Sequence, residues 1–234
     1  MKLTPRSITR ASAVLSALFG ATSVLSGCSS APSSPASNSA ALPPGPATSS
    51  QQFALLTARD VSAIPGAPGG VAVVPSEKGT LFQDPDPRSP CGARVTLPDL
   101  SQSAHVTFDA ASFGAFQVVV DQSVQKATAF ATAWQRDTRP GCPPSTSRTS
   151  TGSTQISQLV GPISMPRLVD QETGALLTVN DNGQTVDAYG MVLRSGGRLE
   201  LDVLISPVPL TQAFVLGFAL AAESKLRRSV ATSS

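Results

Sequence analysis

The sequence predicts an α+β fold, in which an antiparallel β-sheet packs against helices in a single domain. Three observations lead to this prediction. Residues 174–206 contain three strand-like segments separated by tight-turn sequences, residues 210–228 form a long apolar segment, and residues 123–137 repeat apolar side chains at helical spacing. Strands and helices in this arrangement are typical of a sheet covered by helices.

The clearest element is a C-terminal meander of three antiparallel strands. Its two turn sequences, Asp-Asn-Gly and Ser-Gly-Gly, supply glycines that adopt the positive φ angles of tight hairpins. In the last strand, Leu199, Leu201, Val203 and Ile205 alternate with a second set of residues, which is Glu200, Asp202 and Leu204. This alternation predicts one buried face and one mostly solvent-exposed face. The predicted strands are residues 176–179, 185–193 and 199–205.

Helix-start signals occur earlier in the chain. Thr57 and Asp60 form a capping-box pattern, which predicts a short helix that ends at the Pro-Gly pair 65–66. Asp121 or Ser123 is placed to begin a second helix, which runs to about residue 137. Further predicted strands are residues 71–74, 105–108 and 115–120, whereas the rest of 66–103 and the Ser/Thr-rich residues 143–155 are predicted to be irregular.

The terminal segment 210–228 is apolar almost all round and is therefore predicted to be a helix that covers the sheet. Lys225, Arg227 and Arg228 fall at its C-terminal end, where the helix dipole favours positive charge.

The first residues are predicted to form an export signal. Lys2, Arg6 and Arg10 precede a short apolar run at residues 13–25, which is the order found in secretory signal peptides. The run is too short and too rich in Ser, Thr and Gly for a good membrane-spanning helix. It ends in Leu-Ser-Gly followed by Cys28, which resembles the lipobox of bacterial lipoproteins. An ordinary secretory signal followed by an incidental cysteine is the alternative.

The lipobox resemblance implies a signal peptide at residues 1–27, a lipidated Cys28 at the mature N-terminus, and anchoring on the extracytoplasmic side of the cell membrane. Two or more palmitate-like chains anchor a protein stably, since each buried CH₂ contributes about 0.8 kcal/mol. Cleavage removes three basic residues and no acidic ones, which leaves 14 basic against 15 acidic side chains.

Residues 29–51 consist mainly of Ser, Pro and Ala and carry no charge. Such a segment cannot bury enough apolar surface to offset its ordering entropy, so residues 28–51 are predicted to be a disordered tether that begins with the lipidated Cys28. The folded domain is predicted to span residues 52–230.

Composition excludes several classes of function. Lys and Arg (17) nearly balance Asp and Glu (15), which argues against the dense basic face of a nucleic-acid-binding protein. One His and three Cys leave little material for zinc sites or acid–base catalysis. We therefore expect no nucleic-acid partner, no cofactor and no metal.

With Cys28 assigned to the lipid, Cys91 and Cys142 form an even pair in an oxidising compartment, which favours a structural disulfide. A reactive thiol pair is the alternative, but the Cys-x-x-Cys spacing and a basic neighbourhood are missing.

The order of these features resembles the extracellular sensor domain of PknH-type receptor kinases, which actinobacteria also make as free-standing lipoproteins. The resemblance covers about residues 52–230. In the first half of the domain, it consists of a Leu-Leu segment before a short helix and a Ser-Pro-Cys-Gly-Ala stretch at 89–93. A helix with Phe130-x-x-x-Trp134 follows, and after it come Cys142, the meander and the terminal helix. It implies an antiparallel sheet with helices around a cleft for a small ligand, and no catalytic residues. The family commonly has two disulfides, whereas only one cysteine pair is available here.

Few residues are candidates for chemistry. His105 falls at the start of a predicted strand, without a nucleophile-elbow motif elsewhere in the chain, so a partly exposed strand residue is the favoured interpretation. Asp84 and Asp86 lack the glycine and distal glutamate of a calcium loop. Phe130 and Trp134 are candidates for lining a ligand pocket, although aromatic residues at helical spacing more often belong to the core.

These observations predict a cell-envelope lipoprotein that acts as a non-catalytic ligand-binding or sensor module, with a small molecule or lipid in a cleft between sheet and helices. The alternative is a ligand-free interaction or structural lipoprotein that docks a protein partner at the envelope.

Overall fold

The computed structural model describes residues 47–74, 98–110, 112–148, 154–181 and 183–231. Within these ranges the chain forms four helices and eight strands. The helices are α1 (Ser49–Ala54), α2 (Ala58–Ser62), α3 (Val124–Asp137) and α4 (Gln212–Ala231). The strands are β1 (Ala72–Val74), β2 (Ala104–Ala110), β3 (Phe113–Asp121), β4 (Ser145–Arg148), β5 (Thr154–Pro162), β6 (Gln171–Asp181), β7 (Gln184–Ser195) and β8 (Arg198–Ser206).

All the described strands belong to one antiparallel sheet, in the order β1-β2-β3-β8-β7-β6-β5-β4. The predicted meander is confirmed as β6, β7 and β8, with Gly183 and Gly196 at positive φ in its two turns. Strand β8 does not lie at an edge, because it pairs with β3 on one side and β7 on the other. The α+β class and the single-domain organisation are therefore confirmed.

Helices cover both faces of the sheet. On one face, α3 packs its aromatic residues on the sheet in what we call the α3 core, which includes Phe130, Trp134, Val118, Leu201 and Val203. On the other face, α4 lies on the sheet with α1 and α2 beside it in what we call the α4 core, which includes Phe214, Phe218, Phe113, Met191 and Leu204. The two cores use alternate residues of β8, as the pleat of a strand requires.

The helix starts follow local sequence signals. The predicted capping box is present at α2, where Thr57 and Asp60 each bond the other's backbone N–H. Ser123 caps α3, as one of the two predicted alternatives. Helix α1 begins at Ser49 behind a second capping box on Thr48, three residues before the predicted start of the folded domain. Helix α4 matches the predicted terminal helix and continues to Ala231.

The prediction that residues 143–155 form an irregular loop is wrong at both ends. Residues 145–148 form β4 and residue 154 begins β5, and these two strands pair at one edge of the sheet. The polar Ser/Thr composition suggested a loop, but Ser and Thr are tolerated on an edge strand, where one side of the strand has no neighbour to bury it.

The prediction that one face of the last strand is mostly solvent-exposed is also wrong. Glu200, Asp202 and Leu204 are as buried as the apolar residues between them. The physical reason is that α4 covers the face that was predicted to be wet, and the alternation in a strand sequence does not reveal a covering helix.

Several sequence predictions lie outside the described residues. These are the signal peptide, Cys28, most of the tether, the Asp84–Asp86 loop and Cys91. Among the residues that the structure does describe, no helix combines the length and the apolar character needed to cross a membrane.

Candidate functional site: a buried acid cluster

Strand β8 carries two acidic residues into the interior. Glu200 and Asp202 are two positions apart, so their side chains share the face of the sheet that α4 covers. Helix α4 contributes Glu223 from the opposite side of this interface. The exposed fractions of Glu200, Asp202 and Glu223 are 0%, 1% and 0%. We call these three residues the acid cluster.

Gln117 is the neutral polar neighbour of the acid cluster. It is fully buried on β3, directly opposite Asp202 in the register of β3 and β8. Its side-chain amide donates a hydrogen bond to Oε1 of Glu200, and its side-chain carbonyl accepts one from the backbone N–H of Leu56 at 2.7 Å. Gln117 therefore connects the acid cluster to the segment between α1 and α2.

Most oxygens of the acid cluster lack hydrogen-bond partners. Oε2 of Glu223 accepts a hydrogen bond from the backbone N–H of Leu168 at 2.8 Å. Within the described part of the chain, Oε1 of Glu223, Oε2 of Glu200 and both Oδ atoms of Asp202 are buried and have none. A buried polar atom without a partner typically costs about 1–3 kcal/mol, and more when it is charged. The acid cluster is therefore a destabilising feature that the fold tolerates.

The surroundings favour the protonated carboxyls. Burial raises the pKa of Glu200 well above its usual range, and the neighbouring Asp202 raises it further. Burial likewise raises the pKa of Asp202 well above its usual range, although the amide of Gln117 opposes the change. Burial raises the pKa of Glu223 to about 7, against the lowering effect of the hydrogen bond from Leu168. These directions follow from the cost of placing a charge in a low-dielectric interior.

The cations nearest to the acid cluster have other partners. Lys225 on α4 lies 2.6 Å from Oδ2 of Asp60 and donates a hydrogen bond to the carbonyl of Leu55 at 2.8 Å. The charge of Lys225 lowers the pKa of Glu200, but this effect is smaller than the effects that raise it. The described structure therefore shows no lysine hydrogen-bonded to the acid cluster.

Arg198 lies on β8 two residues before Glu200, on the same face of the sheet, and is also fully engaged. It makes a bidentate ion pair with Asp121 at 2.6 and 2.9 Å, and donates hydrogen bonds of 3.0 Å to the hydroxyls of Ser229 and Ser50. This network joins the sheet, α4 and α1. Its guanidinium is consumed by these contacts, so it does not neutralise the acid cluster.

The acid cluster can bind protons, and it can accept hydrogen bonds from a molecule rich in donors. In the described ranges, no group of three His, Cys, Asp or Glu side chains is arranged to hold a metal ion. Unpartnered carboxyl oxygens either accept hydrogen bonds from a donor or carry a proton themselves.

The aromatic pair predicted from the sequence lies elsewhere. Phe130 and Trp134 stack with ring centroids 6.5 Å apart, and both are buried in the α3 core. This is the location that sequence spacing favoured, and it is on the opposite face of the sheet from the acid cluster. A pocket-lining role for either ring stays a prediction.

The other two predicted residues lie on the α3 side as well. His105 is half-buried near the start of β2, with its ring 6.3 Å from that of Phe116. Cys142 follows α3, is half-buried and packs against the α3 core. Of the predicted candidates that the structure describes, none lies in the acid cluster, and the disulfide to Cys91 stays a prediction.

Sequence reasoning missed the acid cluster, although one signal was present. Glu223 falls at helical spacing with Val215, Ala219 and Leu226, all of which are buried on α4. An acidic residue on the apolar face of a helix marks an unusual site. No comparable signal existed for Glu200 and Asp202, because a strand with acidic residues at every second position normally exposes them.

No protein-family model and no curated protein matches the chain. Among solved structures, the chain is similar to the crystal structure of the extracellular domain of PknH from Mycobacterium tuberculosis, with a TM-score of 0.49 and 12% sequence identity. The similarity covers 76% of this chain and 94% of that chain. The neighbour is the extracellular domain of a protein of the type that the order of features in the sequence resembles.

Proposed function

We propose that this chain is a lipid-anchored, non-catalytic sensor or binding module on the extracytoplasmic side of the cell membrane, and that the acid cluster is its responsive site. The observation that carries the proposal is Asp202, which is 1% exposed and has two oxygens without a hydrogen-bond partner in the described structure. The site lies between the sheet and α4, the type of location that the sequence resemblance implies for a ligand.

The energetics of the acid cluster support a functional role. Three apolar residues of similar size would remove from this interface the four carboxyl oxygens that are unpaired within the described residues, at the cost of the acceptors for the Gln117 amide and the Leu168 N–H. Buried groups with strongly raised pKa values concentrate at functional sites. A ligand that brings several N–H donors or a positive charge would supply the missing partners, so we propose a small molecule of that class.

A non-catalytic role is consistent with the enclosure of the acid cluster. Its carboxyls are covered by α4 and are not lined up with His105, which lies on the opposite face of the sheet. General acid–base catalysis needs the acid within hydrogen-bond reach of a bound substrate. We therefore propose that these carboxyls bind rather than transform a molecule.

Analysis of bound molecules tests the binding role. The full chain is purified at neutral pH in mild detergent and analysed by native mass spectrometry and by extraction of small molecules. We expect the unmodified chain and Asp170→Asn, which alters an exposed acid, to retain the same donor-rich molecule. Asp202→Asn should lose most of it. Equal retention by Asp202→Asn, or no bound molecule in any variant, would argue against the binding role.

The lipid anchor is supported by the export signal and the sequence around Cys28. Since α1 begins at Ser49, the tether would extend from residue 28 to residue 48. Metabolic labelling with a fatty acid tests the anchor: Cys28→Ala should lose the label, whereas Cys91→Ala should keep it. A label that persists in Cys28→Ala would contradict lipidation at this residue.

A second candidate function is favoured by one observation on α4. Leu216 and Leu220 are one helical turn apart and are 39% and 46% exposed, so the outer face of α4 presents apolar surface. Such a face suits a protein partner, as in the alternative of an interaction lipoprotein. Chemical cross-linking in the envelope should then lose a specific product in the Leu216→Ser/Leu220→Ser variant, while the retained small molecule is unchanged.

A further inference from the structure

We infer that the acid cluster is a proton-dependent latch, which holds helix α4 on the sheet while its carboxyls are protonated and releases the helix when they ionise. The inference rests on the proposed function in that it assigns a mode of regulation to the same site. In this scheme the docked helix closes the site, and release of the helix opens it to a ligand.

The placement of the three carboxyls gives the latch its geometry. Glu200 and Asp202 belong to the sheet, whereas Glu223 belongs to the helix, and all three are buried where α4 covers the sheet. The charge of Glu223 raises the pKa of both sheet acids. Ionised carboxylates repel one another, and they do so more strongly in a low-dielectric interior than in water. Ionisation therefore pushes α4 away from the sheet.

The residues around Glu223 on the helix offer no compensation. Ala219, Ala222 and Leu226, the buried residues of α4 nearest to it, are apolar, and the only hydrogen bond that Glu223 makes within the described residues comes from the backbone of Leu168. When protonated, the acids remove the charge from the interface and gain hydroxyl donors that can bond the unpartnered oxygens. The protonated state is thus the one that this packing accommodates.

The charged and titratable groups that face the acid cluster come from every element packed against it. On β6, Glu172 faces Glu223 and raises its pKa, and Arg167 in the preceding loop faces Glu172. On α4 itself, Lys225 is paired with Asp60 of α2.

The remaining elements add no free cation near the acid cluster among the described residues. Helix α1 carries no charged residue, and β3 contributes the amide of Gln117. Arg198 on β8 is paired with Asp121. These contacts leave the cluster with a net negative charge when its members ionise.

Helix α4 is the element that can respond. Strand β8 is hydrogen-bonded to β3 and β7 along its whole length, so the two sheet acids are fixed. Helix α4 has no such ladder to the sheet. Side-chain hydrogen bonds hold its two ends. The backbone N–H of Leu210, just before the helix, donates to the hydroxyl of Tyr189, and Arg198 donates to the hydroxyl of Ser229 near the end of the helix. Movement of the helix separates Glu223 from the sheet acids without breaking the sheet.

The direction of the pH effect follows from the carboxyl chemistry. Burial raises the pKa of Glu223 from 4.5 to about 7, and the pKa values of Glu200 and Asp202 are raised as well. An acid with a raised pKa in the docked state stabilises docking fully below its ordinary pKa, and this contribution is lost as the pH rises through its docked-state value. The helix should therefore be held firmly at mildly acidic pH and released increasingly from about pH 5 through pH 7 and above.

Hydrogen–deuterium exchange of the full chain tests the latch. Protection factors, corrected for intrinsic exchange rates, are measured at several pH values between 5 and 8 for amides of α4, with α3 on the other face of the sheet as an internal reference. We expect the protection of α4 to fall by about a hundredfold, the order of magnitude set by the Glu223 shift alone, while α3 changes little.

Variants assign the effect to the acid cluster. Glu223→Gln and Asp202→Asn, which keep size and polarity, should each flatten the pH dependence of α4 protection, whereas Asp99→Asn, on an exposed residue, should not. The latch is contradicted if α4 protection is independent of pH, if α3 changes in parallel, or if the double variant Glu223→Gln/Asp202→Asn keeps the slope of the unmodified chain.

A measurement on the unmodified chain covers the case in which the variants fail to fold. The infrared band of buried protonated carboxyls should lose intensity over the same pH range in which α4 loses protection. A band that is absent at pH 5 would overturn the latch. The latch and the binding role can fail separately. A retained small molecule together with pH-independent protection of α4 refutes only the latch. Release of α4 with rising pH in a chain that never binds a small molecule refutes only the binding role.

Discussion

Gln117 on β3 and Asp202 on β8 lie directly opposite each other in the antiparallel register, and both are buried. The amide of Gln117 nevertheless bonds to Glu200, the next acid on the same face of β8, and to the backbone of Leu56. One neutral side chain thus connects the sheet acids to the N-terminal segment. Its removal would affect the stability of the domain and the ionisation of the acid cluster together.

Replacement of Gln117 by Leu tests this connection. The change leaves the buried N–H of Leu56 and Oε1 of Glu200 without their partner, and each unpaired buried group costs about 1–3 kcal/mol. We expect the free energy of unfolding from urea denaturation at pH 6 to fall by about 2–4 kcal/mol. Gln158→Leu, on an exposed residue of β5, is the matched control and should change it by less than about 0.5 kcal/mol. Equal effects of the two variants would show that Gln117 does not hold the two segments together.

Arg198 supplies a second test, because it joins three elements. Replacement by Met keeps an apolar stem of similar length but removes the ion pair with Asp121 and the bonds to Ser50 and Ser229. Since Asp121 is 42% exposed, we expect a loss of about 2–3 kcal/mol, below the range for a fully buried pair. Hydrogen exchange should show that α1 loses protection first.

The control for this change is Arg136→Met. Arg136 is 62% exposed and pairs at 2.9 Å with Asp137, which is 8% exposed, so water screens the pair from the arginine side and the loss should be smaller than at Arg198. A loss at Arg198 no larger than the loss at Arg136 would contradict the structural role of the Arg198 network.

The contact between α4 and the segment that follows α2 depends on Gly217. A Cβ atom at Gly217 would lie 2.4 Å from Cγ2 of Ile64, which is a branch close to the backbone and cannot swing away easily. Gly217→Ala should therefore destabilise the domain by about 1–3 kcal/mol, although Ala is otherwise the better helix former. In the background of Ile64→Ala the same substitution should become neutral or stabilising. A double-mutant cycle measured by chemical denaturation checks this coupling, and additive effects would refute the close approach.

The sequence predicted the fold well where a signal was local. Thr57 and Ser123 cap helices because a single side chain bonds a nearby N–H, and Gly183 and Gly196 permit tight turns because they lack a Cβ atom. These interactions involve residues a few positions apart, so a sequence pattern contains all of the information that determines them.

The site could not be predicted in the same way, because it depends on which elements become neighbours. The sequence does not reveal that β8 lies between β3 and β7, or that α4 folds back over the face carrying Glu200 and Asp202. Alternating acids predict a wet face unless a distant helix covers it. The Ser/Thr-rich β4 was missed for a related reason, since edge pairing compensates for a composition that is typical of loops.

The predicted disulfide between Cys91 and Cys142 remains to be tested. Peptide mapping under non-reducing conditions should recover the two cysteines in one cross-linked species. Reduction should lower the free energy of unfolding by about 4 kcal/mol, as the chain-entropy model gives for a closed loop of about 50 residues. Cys142→Ser should lower it by a comparable amount and abolish the further effect of reductant. Alkylation of both thiols in the native oxidised protein would contradict the pairing.

Trp134 distinguishes a core role from a pocket-lining role. It is 1% exposed, stacks on Phe130 and lies among apolar residues of the α3 core. Truncation of a buried aromatic side chain leaves a cavity, so Trp134→Ala should cost about 3–5 kcal/mol, and Trp134→Phe should cost less. The free energy of unfolding is measured by circular dichroism, because Trp134 is the only tryptophan and its fluorescence disappears in both variants. Val124→Ala, on an exposed residue at the start of the same helix, should change stability by less than about 0.5 kcal/mol. A Trp134→Ala variant of nearly unchanged stability would mean that the ring faces an open pocket and not the core.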